Sequence, residues 1–597
     1  MSTAILTGQP VPGSSIEGDL RSLGFDVRVA ADAADAERLV AEAPCEQRIA
    51  LVDARFVGHV HALRLGLTDP RFPLAAVPGA VTAQPDGRVT LTRALARENS
   101  AGGGTAVAVD SLPDRIVTAL ADDGAEVYRP ELGSLVAAVP ADPQARNEAR
   151  QAVADVDDEA VRLKSAVKSR DGFFTTHFIS PYSRYLARWC ARRGLTPNQV
   201  TTASLITALI AAACAATGTR GGFIAAGVLL IASFVLDCTD GQLARYSLQY
   251  STLGAWLDAT FDRAKEYAYY AGLALGAARG GDDVWALALG AMILQTCRHV
   301  VDFSFNEANH DATANTSPTA ALSDKLDSVG WTVWVRRMIV LPIGERWAMI
   351  AVLTAATTPR ITFYALLIGC AFAATYTTAG RVLRSLTRKA QRTDRAAQAL
   401  ADLADTGPLA ETLARFLPGP PRRTAPLSAA AGAIAMLLAA WAWGPDWMVV
   451  LLAGLYVLLS AEAVERPLKG PLDWLIPPLF RAAEYGTVLI LAAAADVNGA
   501  LPAAFGLVAA VAYHHYDTVY RIRGNAGAPP AWLVRAIGGH EGRTLLVTVL
   551  AALLTASQFT VALTVLAVAV ALLVLVESIR FWVSAGAPAV HDEGEPA

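Results

Sequence analysis

From residue 198 onward the chain is a succession of apolar segments. Six lie at about 198–218, 221–240, 254–278, 284–304, 345–358 and 361–383, and six more at about 427–444, 446–461, 473–495, 499–520, 544–556 and 558–582. Each is near the roughly 20 residues that a helix needs to cross a bilayer, although the fifth is short. Backbone in hydrocarbon must satisfy its own hydrogen bonds, so such segments become helices. Composition agrees: of 597 residues, 53% are hydrophobic and 17% charged, and mean hydropathy is +0.36. This fits a polytopic membrane protein with a soluble part. A net charge of -4 gives no sign of a nucleic-acid partner. Six scattered cysteines, without a CxxC pair, imply neither a disulfide framework nor a zinc site. MSTAILTGQPVPGSS lacks a basic stretch followed by an apolar run, so no signal peptide is expected.

Residues 1–165 read as a soluble α/β domain. Short apolar runs (DVRVA at 26–30, RIALVDARFV at 48–57) alternate with Ala-rich helical stretches, and AVAVDSLPDRIVTALADDGAEVYRP repeats the rhythm of strand, helix and strand. AGGGTA at 101–106 has neither GxGxxG nor GxxxxGK[ST] spacing and reads as a linker. The remaining boundaries are a membrane domain over 166–390, a linker over 391–425, a second membrane domain over 426–585 and a tail over 586–597. Residues 144–170 form a charged helical connector. In DGFFTTHFISPYSRYLARWCARRGLTPNQVT, aromatics alternate with Arg184, Arg188, Arg192 and Arg193, as in an amphipathic helix lying on an anionic membrane face. Basic residues gather before the first span, after the second (Arg245), after the fourth (Lys325, Arg336, Arg337) and after the sixth (Arg381, Arg384, Arg388, Lys389). That bias places both ends of the first bundle on the cytoplasmic side.

The two sets of spans look like copies. FDRAKEYAYYAGLALGAARGG at 261–281 aligns without gaps on LFRAAEYGTVLILAAAADVNG at 479–499. Arg263, Ala264, Glu266 and Tyr267 then coincide with Arg481, Ala482, Glu484 and Tyr485, and GERW at 344–347 resembles EGRT at 541–544. Under this alignment Ile476 replaces Asp258 and Phe480 replaces Asp262, so the second bundle reads as a degenerate, catalytically silent repeat.

One stretch carries chemistry: DCTDGQLARYSLQYSTLGAWLDATFD at 237–262. Asp237 and Asp240 are three apart; Asp258 and Asp262 are four apart and share a helix face. Carboxylates at membrane depth need partners. Four of them without an equal number of nearby cations call for a divalent ion, or two.

The spacing D-x2-D-G-x2-A-R-x8-G-x3-D-x3-D resembles, at all eight defining residues, the signature of the CDP-alcohol phosphatidyltransferase family. The resemblance covers about 170–390, including DGFFTTHFIS and PIGERW. It implies transfer of a substituted phosphate from a CDP-alcohol, such as CDP-diacylglycerol or a CDP-linked polyol, to an alcohol acceptor, with release of CMP. It also implies Mg2+ or Mn2+ held by Asp237, Asp240, Asp258 and Asp262. Asp262 would be the general base, with Asp237, Gly241, Ala244, Arg245, Gly254 and Asp258 around the nucleotide. Gly241, Ala244 and Gly254 make room for backbone approach, and Arg245 offers a fork to phosphate. The enzyme is expected in the cytoplasmic membrane, and the Lys/Arg bias places its termini and the aspartate cluster on the cytoplasmic side. The resemblance leaves open a homodimer, or the second bundle standing in for the partner within one chain. Some family members carry an N-terminal nucleotidyltransferase; residues 1–165 lack its Gly-rich, Arg-containing loop and read as a degenerate or unrelated Rossmann-like domain.

Arg298, His299, Asp302, Arg336, Arg337 and Arg346 read equally as a site for a phosphorylated acceptor such as inositol phosphate and as positive-inside topology. His514, His515 and Asp517 read as interfacial rather than metal-binding. The competing function is an inactive scaffold or transporter built from two six-helix repeats, which predicts polar groups inside both halves.

Overall fold

The computed structural model describes residues 2–101, 111–168, 171–312, 334, 338–387, 390–416 and 424–584. It comprises two compact units: residues 1–169, 182–197 and 239–250 form one, and residues 170–181, 198–238 and 251–597 the other.

The first unit runs β1 (Ser2–Thr7), α1 (Ile16–Ser22), β2 (Phe25–Ala30), α2 (Ala33–Glu42), β3 (Ile49–Asp53), β4 (Val57–Gly58), α3 (Val60–Leu67), β5 (Leu74–Val77) and β6 (Ala80–Ala83). It continues with α4 (Arg88–Ala101), α5 (Leu112–Asp122), β7 (Ala137–Ala138), α6 (Pro143–Ala154), α7 (Asp158–Ser165) and most of α8 (Ser180–Arg192). The main sheet has the order β2-β1-β3-β6-β5. β1 is parallel to β2 and β3, while β6 is antiparallel to β3 and β5. Alternation along the strands builds a core on each face. Ile5, Ile49 and Leu51 pack with Leu39 of α2, Leu95 of α4 and Leu120 of α5. Ala4, Leu6 and Val52 pack with Leu20 of α1 and Leu63 of α3. This is the three-layer α/β arrangement expected for residues 1–165. The expected strands at 26–30 and 48–57 appear as β2 and as β3 with β4. EVYRP contributes only a bridge from Tyr128 to Ala75. AVAVD and most of the AGGGTA linker lie outside the described residues. Helix α8 leaves Tyr182, Tyr185 and Trp189 exposed, the aromatic face an amphipathic surface helix presents.

All twelve apolar segments are helical: α9 (Pro197–Ala216), α10 (Arg220–Ser247), α11 (Thr252–Arg279), α12 (Trp285–Asn309), α13 (Ile343–Ala356) and α14 (Pro359–Thr387), then α17 (Ala425–Trp443), α18 (Trp447–Val464), α19 (Ile476–Ala494), α20 (Ala500–Arg523), α22 (Gly539–Leu553) and α23 (Ala556–Ser584). Between the sets lie α15 (Asp394–Ala404) and α16 (Pro408–Ala414), with α21 (Ala531–Ala536) before α22. Among the described residues, seven segments are long and apolar enough to cross a membrane: α9, α10, α14, α17, α18, α19 with its preceding turn, and α23. The chain is a multi-pass membrane protein. Two of the other five are short, α13 at 14 residues and α22 at 15. The remaining three, α11, α12 and α20, carry buried ionisable residues.

The linker expected over 391–425 is more than a connector. Helix α15 buries Ala396, Leu400 and Leu403 against α12 and α19. The third and fourth helices of the two sets meet reciprocally: α11 packs on α20, while α12 packs on both α19 and α20.

Candidate active site

Helix α10 carries Asp237 and Asp240 one turn apart and then stops abruptly. Leu248 adopts a left-handed backbone, with φ of 52°. That conformation costs a branched side chain on the order of 1 kcal/mol, and it reverses the chain within a few residues. Ser251 caps α11, its hydroxyl accepting from the Gly254 amide at 3.0 Å. The short reversal returns Asp258 to the end of α10. Asp237, Asp240 and Asp258 each bring a carboxylate oxygen to within 4.8 Å of the others. Asp240 is buried, Asp237 half-buried and Asp258 exposed. Three hard oxygen donors at this spacing, open on one side, suit a divalent cation of the magnesium or manganese kind, which keeps other positions for water or substrate oxygens.

Asp262 is outside that trio and faces Lys265. The lysine is completely buried. Its ammonium pairs with Asp262 at 2.8 Å, with Asp237, and with the Ser204 hydroxyl at 3.2 Å. Lys265 thus neutralises part of the charge of the four carboxylates, for which the sequence shows no equal number of nearby cations. It was legible as an (i, i+3) partner of Asp262 inside an apolar segment.

The glycines separate into two cases. A Cβ on Gly254 would stand 2.7 Å from Asn198 Oδ1 and 2.8 Å from Ser251 Oγ, so a side chain there would have to push Asn198 and the capping Ser251 hydroxyl aside. A Cβ on Gly241 would meet nothing nearer than the Arg245 guanidinium at 3.5 Å. Arg245 is anchored by donation from Nε to the Ala166 carbonyl at 2.6 Å, and Ala244 is half-buried beside it. The motifs DGFF and PIGERW come together: the Phe174 amide donates to Glu345 at 3.2 Å, and Gly172 leaves room for that carboxylate.

The basic residues around the fourth and fifth spans are largely committed internally. Arg346 pairs with Glu266 at 3.2 Å, Arg298 donates to the Val340 carbonyl, and Asp302 pairs with Arg381. His299 Nδ1 lies 2.6 Å from the Tyr516 hydroxyl. Arg336 and Arg337 lie outside the described residues. His514 and His515 are buried. His514 contacts Asp405 at 3.2 Å, and Asp517 accepts from Ser578 and Trp582 at 2.8 and 2.7 Å. Among the described residues neither histidine joins a metal-sized cluster.

The second set of helices holds its own buried charge, which the sequence reading missed. Arg481 Nη1 lies 2.9 Å from Glu484 Oε2, and Arg543 Nε lies 2.5 Å from Glu484 Oε1. Asp405, placed by the end of α15, meets Arg543 at 2.6 Å and Arg481 at 3.3 Å. The first set shows the same bonds between the same atoms. Arg263 Nη1 is 2.9 Å from Glu266 Oε2, and Arg346 Nε is 3.2 Å from Glu266 Oε1. Alignment had paired Arg263 with Arg481, Glu266 with Glu484 and the Arg of GERW with that of EGRT; all three coincidences recur as one Arg–Glu–Arg triad. Ala483 stands where Lys265 would be.

Residues 194–375, which hold these helices and carboxylates, match the family described as CDP-alcohol phosphatidyltransferase. Residues 394–597 match a separate family of unknown function, DUF5941. Among characterised proteins, the chain is similar to a phosphatidylinositol phosphate synthase of Streptomyces avermitilis, 35% identical over 131 residues (21% of this chain, 51% of the relative). It resembles one of Mycolicibacterium smegmatis, 36% identical over 122 residues (20% and 53%). It also resembles a bifunctional IPC transferase and DIPP synthase of Aquifex aeolicus, 30% identical over 114 residues (19% and 26%). The chain thus spans about half the length of the phosphatidylinositol phosphate synthases it matches.

Proposed function

We propose that the chain transfers a substituted phosphate from a CDP-alcohol to an alcohol acceptor and releases CMP. The observation that carries this reading is the convergence of Asp237, Asp240 and Asp258 beside a lysine-held Asp262. Mg2+ or Mn2+ at the three carboxylates would neutralise the diphosphate and make CMP a better leaving group. The remaining steps belong to the protein. Asp262 takes the proton of the acceptor hydroxyl, whose oxygen bonds to the phosphorus bearing the donor's alcohol. The phosphoanhydride bond breaks, and CMP leaves with the electron pair. Lys265 holds Asp262 toward the reacting centre and offsets part of the charge on Asp237. Most of the acceleration comes from such positioning and electrostatics. We assign a phosphate-binding role to Arg245, whose guanidinium is anchored through Nε on the Ala166 carbonyl.

The acceptor we propose is inositol phosphate, because the names of the similar synthases point to it. Purified enzyme with labelled CDP-diacylglycerol is offered inositol phosphate, glycerol phosphate or serine. Failure to form an inositol-containing lipid rejects that acceptor; failure to release CMP with any acceptor rejects the transferase. Asp262→Asn should lower CMP release by about 10²–10⁴-fold, and undiminished release removes its role as base.

We also propose that the second bundle, a degenerate repeat, replaces a partner subunit, and that the active site faces the cytoplasm. The reciprocal meeting of α11 with α20 and α12 with α19 has the form of a twofold interface within one chain. A one-chain mass in detergent supports this; a dimer joined through the first bundle overturns it.

A further inference from the structure

The N-terminal unit holds a cavity of about 280 Å3 that the proposed reaction does not use. It lies where the chain leaves β1 (Gly13, Ser14, Ser15) and β3 (Phe56, Val57, Gly58), with α6 closing it through Arg146 and Arg150. The location has a topological meaning. From β1 the chain crosses to β2 on one side of the sheet, while β3 pairs on the other. Loops at the carboxyl ends of β1 and β3 therefore diverge and leave a crevice, which is where open α/β sheets bind ligands.

The charges there are unbalanced. Arg150 donates to the Gly13 carbonyl at 3.2 Å, and Arg146 reaches the Arg55 carbonyl at 3.5 Å. Among the described residues neither guanidinium has a carboxylate partner, and burial together with the neighbouring Arg150 pushes Arg146 below the usual arginine range. Two cations side by side on neutral carbonyls favour an anion, and a phosphate suits arginine forks. The rest of the lining takes something else. Asp19, held by the Ser15 hydroxyl at 2.7 Å, can accept from ligand hydroxyls, and Phe56 supplies an apolar wall. A bare phosphate would leave these groups unused.

We infer that this cavity binds a phosphomonoester with a hydroxylated body, a polyol phosphate or a nucleoside monophosphate. The phosphate faces Arg146 and Arg150, and the hydroxyls face Asp19 and Ser15. The inference is independent of the transferase reading.

The test is calorimetric titration of the full-length protein in detergent with EDTA present, using inositol phosphate, glycerol phosphate, CMP and inorganic phosphate separately. One ester is expected to bind with a stoichiometry of one, more tightly above about pH 6, where the second phosphate proton is lost. R146A/R150A should weaken it at least about tenfold, since each charge-assisted bond contributes more than a tenfold factor. Asp237→Asn should leave it unchanged, which separates this cavity from the carboxylate centre. The ester that binds distinguishes polyol from nucleotide. Four results overturn the inference: no ester binds, inorganic phosphate binds as well as any ester, R146A/R150A binds as wild type, or Asp237→Asn abolishes binding. R146K/R150K guards against a folding artefact, because it keeps the charge and should recover part of the affinity.

Discussion

Lys265→Met tests whether the buried lysine is part of the carboxylate centre or only balances charge. The substitution keeps the length of the side chain and removes the ammonium from between Asp262 and Asp237. At 2.8 Å, and with an effective dielectric near 20, the lysine–Asp262 attraction alone is about 6 kcal/mol before desolvation is subtracted. Removing one member of a buried pair typically costs about 3–5 kcal/mol, because the other charge is left uncompensated. Two carboxylates lose their cation here, so the metal-free variant should unfold at the upper end of that range. A divalent cation should restore part of the loss, since Asp237 is one of the three proposed ligands. Catalysis and metal affinity should move in opposite directions. Deprived of its orienting partner, Asp262 should lose about 10²-fold or more in kcat. The magnesium concentration for half-maximal rate should fall, because a competing positive charge has gone. Thermal unfolding with and without Mg2+, paired with CMP release against Mg2+ concentration, reads all three. A variant whose half-saturating Mg2+ rises, or whose kcat stays within twofold of wild type, refutes the role given to Lys265.

Further outcomes follow from the same geometry. Gly254→Ala puts a methyl 2.7 Å from Asn198 Oδ1 and should cost about 1–3 kcal/mol by overpacking. Gly241→Ala meets only ordinary contacts and should leave thermal stability unchanged or raised, so any loss of CMP release there reports a ligand that needs the space. Glu484→Gln leaves Arg481 and Arg543 short of a charge partner and should destabilise by about 3–5 kcal/mol, with unchanged Mg2+ dependence of the residual activity. In the N-terminal unit His61 is 4% exposed, and neither ring nitrogen has a hydrogen-bond partner among the described residues. Burial, then the nearby Arg162, Arg64 and His59, hold it down to about 4 from 6.5. Between those values the unfolded chain binds a proton that the folded one refuses, so stability is full above about pH 6.5 and is lost as pH falls toward 4, by about 3 kcal/mol. Hydrogen exchange over residues 2–101 should show this slope in wild type and a flatter one in His61→Leu; equal slopes would remove His61 as its source.

The parts legible in the sequence were those with a period or a fixed spacing. Apolar segments near bilayer length announced twelve helices, and alternating runs announced β2 and β3. The signature announced which carboxylates to watch. Spacing along the chain does not show how a helix ends, and that is where the centre is made. Leu248 carries no mark of a left-handed turn, yet its conformation aims α11 so that Asp258 returns to Asp237 and Asp240. Lys265 sat in plain view three residues after Asp262, but its reach back to Asp237 depends on how two helices pack. Asp405 was harder still. It lies in a polar stretch that reads as linker, and only the docking of α15 on α19 commits it to Arg481 and Arg543.

The shared Arg–Glu–Arg triad carries the argument about the second bundle further than alignment could. Ala/Leu-rich helices align by chance, but two arginines from different helices meeting one glutamate through matching atoms is a three-dimensional coincidence that chance alignment does not supply. What differs between the two bundles is equally specific. Beside the first triad stand Lys265 and Asp262; beside the second, Ala483 and Phe480 occupy those places, and Asp405 supplies the extra carboxylate from outside the repeat. A buried triad with two arginines and one glutamate carries surplus positive charge. In the first bundle, Asp262, directly before Arg263, lies close enough to offset it. In the second, with the aspartate gone, Asp405 assumes that task. In the second bundle the charge partner comes instead from the end of α15. On this reasoning Asp405→Asn should destabilise the second bundle, whereas the same change at Asp262 should cost CMP release.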